Sequence, residues 1–99
     1  MIRINDKDYE FKYSLRALFM WEELTGKPFE IVTLFDTYIL CYCCLLVGSE
    51  NSLDFNDFID AADKNPDIIK EFNEYLSSTM KLKELTDSKK KVTRGKNSQ

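Results

Sequence analysis

Residues Phe11–Phe29 read FKYSLRALFMWEELTGKPF, and these positions contain a strand end, a capped helix and a helix stop. Ser14 suits an N-cap, because its hydroxyl accepts from an amide two or three residues on. Leu15 to Thr25 follow at helical spacing. Ala17, Met20, Trp21 and Leu24 fall at i, i+3, i+4 and i+7 and make one apolar stripe. Leu15 and Phe19 make a second patch, on the side shared with Glu22 and Glu23. Gly26 supplies the left-handed residue that closes a helix, and Pro28 blocks continuation. A helix apolar on more than one side needs two neighbours: a hairpin for one, and a helix or a partner for the other.

Upstream, Ile2-Arg3-Ile4 and Tyr9-Glu10-Phe11-Lys12-Tyr13 alternate in polarity around the turn formers Asn5-Asp6-Lys7-Asp8, which predicts a β-hairpin. A lone hairpin is marginal in water, so its apolar face must lie on helices. Downstream, a second helix is expected to begin between Phe29 and Thr33 and to end at Gly48. Stepping 100° per residue puts Ile31, Phe35, Tyr38, Tyr42, Leu45 and Leu46 on a core face. Thr33, Asp36 and Thr37 mark the opposite side, which continues into Leu40, Cys44 and Val47 with no polar residue among them. That continuation predicts more apolar surface than a small domain encloses, and so a contact surface.

A third helix is expected after Ser52 as N-cap, with Phe55, Phe58, Ile59 and Ala62 inward and Asp60 and Asp63 outward. Asn65-Pro66 opens a fourth, an Asn cap followed by Pro at the first helical position, with Ile69, Phe72, Leu76 and Met80 as its apolar line. The predicted fold is mainly α (α+β): an N-terminal hairpin packed on about four helices in one domain, residues 1–85, followed by a disordered basic tail, residues 86–99.

Charge divides the chain. Residues 1–80 hold 7 Lys+Arg against 15 Asp+Glu, and residues 81–99 hold 7 against 2. An acidic body argues against a nucleic-acid-binding core, which needs a positive face; the four helices offer only Arg16, Lys64, Lys70 and Lys81. The apolar run from Ile31 to Val47 would span about 25 Å as a helix, short of a bilayer's hydrocarbon core of about 30 Å, and Asp36 lies inside it. No membrane association is expected. Met1–Asp6 lacks an apolar signal-peptide core, and Cys41, Cys43 and Cys44 are clustered rather than spaced as a disulfide framework. The expected compartment is a reducing cytoplasm.

Chemistry is sparse. The chain has no histidine, hence neither the commonest general base nor the commonest zinc ligand. Cys41-Tyr42-Cys43-Cys44 contains C-x-x-C, but it lies late in an apolar helix, where the dipole opposes a thiolate; packing explains these residues better. Glu22-Glu23 and the Asp54, Asp57, Asp60, Asp63 series read as solvated helix faces. We expect no enzyme, cofactor or metal.

Tyr13-Ser14-Leu15-Arg16-Ala17-Leu18, followed by Trp21-Glu22-Glu23-Leu24-Thr25-Gly26-Lys27-Pro28-Phe29, resembles the tail assembly chaperones of long-tailed bacteriophages. In that family a short β element leads into a helix of this pattern, then a long apolar helix and an acidic segment. The resemblance implies a protein of the bacterial host cytoplasm that binds and solubilises the tape-measure protein and helps recruit tail-tube subunits. Self-association is left open. The residues expected to contact a client or a second copy are Leu15, Phe19, Leu40, Cys44 and Val47. Two rival classes are a structural virion component, such as a head–tail connector subunit, and a small regulatory DNA-binding protein.

Overall fold

The structure, a computed structural model, describes residues 1–79. The expectations for residues 80–99, the disordered tail included, lie outside these residues. The described chain is an N-terminal hairpin with four helices packed on it, the mainly helical architecture read from the sequence.

β1 (Ile2–Ile4) pairs antiparallel with β2 (Lys7–Tyr9), in the register Ile2 to Tyr9, Arg3 to Asp8 and Ile4 to Lys7. The loop is tighter than the four residues expected. Asn5 and Asp6 alone make the turn, with φ of 52° and 66°. Two successive left-handed residues match the right-handed twist of the strands, and Asn and Asp tolerate that region better than other side chains. Ile2, Ile4 and Tyr9 face the core. The second strand stops at Tyr9, not Tyr13, because the chain from Glu10 turns to the end of another element. The Lys12 amide donates to the Cys44 carbonyl (3.0 Å), and the Glu10 amide donates to Ser49 Oγ (2.9 Å).

α1 (Leu15–Thr25) has the ends its sequence specifies. Ser14 Oγ accepts from the Ala17 amide, and Gly26, at φ 72°, closes the helix by donating to the Glu22 carbonyl. Ala17 and Trp21 are buried, and Trp21 Nε1 donates to the Asp36 carbonyl at 3.0 Å. The indole therefore ties α1 to the first turn of α2 (Leu34–Val47).

α3 (Phe55–Lys64) starts two residues later than expected, with Asp54 as its cap. The Ser52 carbonyl accepts from the Tyr9 hydroxyl (2.8 Å) and the Leu53 carbonyl from the Tyr42 hydroxyl (2.6 Å). These bonds hold residues 52–53 outside the helix and leave the cap to Asp54. α4 occupies residues 67–79. Asn65 Oδ1 accepts from the Asp67 amide at its start. Its buried residues are Ile68 and Phe72, with Ile69 and Leu76 only partly covered, so Phe72 is inward as predicted and Ile68 takes the place expected of Ile69. Phe11 packs on Phe72 and Tyr75, with ring centroids 5.2 and 5.5 Å apart.

One core cluster runs through all of these elements. α2 is its axis: every residue from Ile39 to Leu45 is buried. α1 packs along it, and Phe55 and Phe58 of α3 meet the Tyr42 ring at 5.1 and 5.6 Å. The Glu10–Tyr13 strap crosses its C-terminal end. The strap comes so close that a methyl group on Gly48 would overlap the Glu10 carbonyl oxygen and lie 3.0 Å from the Lys12 nitrogen.

Candidate protein-binding surface

The five residues expected to form a contact surface do not share one face. Leu40 is 3% exposed and Cys44 is fully buried. Both belong to the core, so their assignment to an outer surface is corrected. The side of α2 that carries them is closed by α1 and by the strap: the Lys12 amide bonds the Cys44 carbonyl itself. Val47 is half-buried against the same cluster. The domain does enclose its most apolar helix, and no outside cover is needed there.

The thiols follow from that enclosure. Cys41, Cys43 and Cys44 are free and buried. Burial pushes Cys43 up to about 12. Burial, with the neighbouring Cys43, does the same for Cys44, and Cys41 is raised still further. All three are protonated at neutral pH, which suits packing rather than nucleophilic chemistry.

Leu15 and Phe19 are placed differently. They are 68% and 58% exposed. With 3.6 residues per turn they point roughly 160° away from the Ala17–Trp21 line, on the outermost ridge of α1. Arg16, Met20 and Glu23 flank them, and together the five residues line a shallow groove of about 470 Å³. Glu22, on the other flank, is held by its own fold: its carboxylate accepts from the Phe29 amide at 2.8 Å.

A second apolar shoulder was not expected. Leu34 is 73% exposed, and Val32, Phe35 and Ile31 are also exposed, although Ile31 and Phe35 were assigned to the core face. Leu34 and Phe35 line a groove of about 410 Å³ with Tyr38, Ile59, Ala62 and Asp63. The cause is Asp36, assigned to the side opposite the core face but only 1% exposed. Asp36 Oδ2 accepts from the Val32 and Thr33 amides (2.9 and 3.0 Å), while its own amide donates to Thr33 Oγ1. Asp36 Oδ1 pairs with Lys27 Nζ at 3.2 Å. The Val32 and Thr33 amides, reinforced by Lys27, hold the carboxyl down to about 2. This capping box turns the carboxylate inward and leaves the two apolar residues before it facing out. The Thr33-x-x-Asp36 spacing was the available signal.

The segment behind the family resemblance builds the corner between α1 and α2. Trp21 is in the core, with Phe29 edge-on to it at 5.0 Å. Thr25 Oγ1 donates to the Trp21 carbonyl, Gly26 closes the helix, and Lys27 lies 5.6 Å over the indole while pairing with Asp36. Among the described residues no helix is long and apolar enough to cross a membrane. No protein-family model, characterised protein or solved structure matches the chain.

Proposed function

We propose that this protein is a binding subunit that shields the apolar surface of an assembly client, and that it serves as a tail assembly chaperone: its client is the tape-measure protein, and it helps recruit tail-tube subunits. The observation that carries the reading is the outer ridge of α1. A domain that encloses α2 from Ile39 to Leu45 nevertheless leaves Leu15 and Phe19 on open surface, next to a corner built from the residues that resemble the chaperone family. Large exposed side chains clustered in this way mark contact sites, and an amphipathic client helix would lay its own stripe across them. The buried cysteines and the structural use of Glu22 and Asp36 take those groups away from catalysis, in keeping with a protein that acts by contact.

Co-expression with a long helical tape-measure protein tests the proposal. The chain should keep that client soluble and co-purify with it, and Phe19→Asp should abolish both effects without changing the circular dichroism of the isolated chain. A client equally soluble with and without the chain would overturn the reading. Recovery of the chain from finished particles would point instead to a virion component.

A further inference from the structure

The charges beside Phe19 are arranged for a second copy of this chain. Arg16 and Glu23 lie on the same flank of the exposed ridge, on either side of Phe19 and Met20. Seven residues put them about 10.5 Å apart along the axis, too far to pair with each other. Among the described residues neither is in an ion pair. Arg16 has no carboxylate three or four residues away. Lys27, four residues beyond Glu23, lies past the helix end and pairs with Asp36. Two opposite charges equidistant from an apolar centre form a self-complementary pattern. When two identical helices pack antiparallel about a two-fold axis, like flank meets like flank, and a residue before the centre faces one after it.

We propose that the outer face of α1 is a homodimer interface, with α1 packed antiparallel on α1 of a second copy about a two-fold axis beside Phe19. One rotation then sets Arg16 against Glu23 of the second copy and Glu23 against its Arg16, while the two Phe19 rings meet near the axis between Leu15 and Met20. The aromatic centre supplies attraction. The rim pairs, weak in themselves, fix direction and register. Three helical turns make a small interface, so the dimer is a weak one. The inference concerns the same face as the proposed function but does not depend on what the client is.

Sedimentation equilibrium on the full chain tests it, with concentrations taken into the millimolar range. The wild-type chain should self-associate to a dimer. Arg16→Glu and Glu23→Arg should each weaken association by about tenfold or more, because each replaces two attractive contacts with two repulsive ones. The double variant R16E/E23R should return to within about threefold of wild type, since the reversed pairs form again. Phe19→Asp should be monomeric throughout. All of these side chains are exposed, so thermal melts of the variants should match the wild-type melt. A wild-type chain monomeric at every concentration would overturn the proposal, as would a double variant no tighter than the single ones or a Phe19→Asp chain that still dimerises. A monomer that still carries a client would sink the dimer and leave the functional reading standing; a dimer that carries none would do the reverse.

Discussion

α1 and α2 are both apolar on more than one side, yet the body of α2 is covered and the outer ridge of α1 is not. From Ile39 to Leu45, α2 meets protein on every side. α1 buries Ala17 and Trp21 and leaves Leu15 and Phe19 in water. The more apolar helix is enclosed along its body and open only at its first turn, and the helix rich in charge carries an open ridge along its outer side. Apolar content therefore does not locate a binding surface. What locates it is the amount of chain left over to cover each side. α2 has α1, α3, the hairpin and the strap to close it, whereas nothing among the described residues lies across the outer ridge of α1.

The contrast is sharpest for charge placed on each helix. Leu40→Asp puts a carboxylate into the apolar core cluster, where Leu40 is buried. The cost should exceed about 4 kcal/mol, against a total stability of about 5–15 kcal/mol for a domain of this kind. The expected outcome is loss of a cooperative thermal transition by circular dichroism. A folded Leu40→Asp chain with an unchanged melt would show that this side of α2 is open after all.

Gly48 tests the strap that completes the enclosure. Its φ is −85°, which any residue adopts, so the constraint is space rather than conformation. A Cβ there meets the Glu10 and Lys12 backbone, which yields less readily than a side chain. Gly48→Ala should cost about 2 kcal/mol or more, read as a lowered denaturation midpoint with an unchanged slope. A neutral result would mean that the strap moves aside freely.

Asp36 tests the shoulder between the covered and open parts of α2. Its carboxyl is held at about 2, below its ordinary 3.8, so between these values the unfolded chain binds more protons than the folded one. The stabilisation is fully present above about pH 4 and is lost as the pH falls through 2. Acid titration of stability should show this slope, and Asp36→Asn should flatten it while destabilising the chain at pH 7. An Asp36→Asn chain with the wild-type acid profile would place the dependence elsewhere.

The two sides of this comparison were not equally legible in the sequence. The ends of α1 could be read directly, since Ser14, Gly26 and Pro28 act through their own backbone neighbourhood. The exposed ridge of Leu15 and Phe19 followed from periodicity. The enclosure of Leu40 and Cys44 did not, because it depends on the Glu10–Tyr13 strap, whose alternation reads as a strand although it forms neither strand nor helix, and nothing local fixes where it goes. Asp36 misled for a local reason. Periodicity treats a carboxylate as a solvent marker, whereas the Val32 and Thr33 amides and Lys27 make this one an interior group. With Asp36 turned inward, Leu34 and Phe35 had to turn out.

The smallest expected effect on stability is the most informative about the open ridge. Phe19→Asp removes a large side chain from a position already 58% exposed and adds a charge on the flank of Glu22 and Glu23. The lost apolar contact and the added repulsion are both screened by water, so the melt of a dilute sample should shift by no more than about 0.5 kcal/mol. The same chemical change is thus lethal to the fold at Leu40 and nearly silent at Phe19, and the difference measures how completely each helix is covered. A loss above about 1.5 kcal/mol at Phe19 would mean that its ring is held by something in the monomer, and the outer face of α1 would no longer be free for either a client or a second copy.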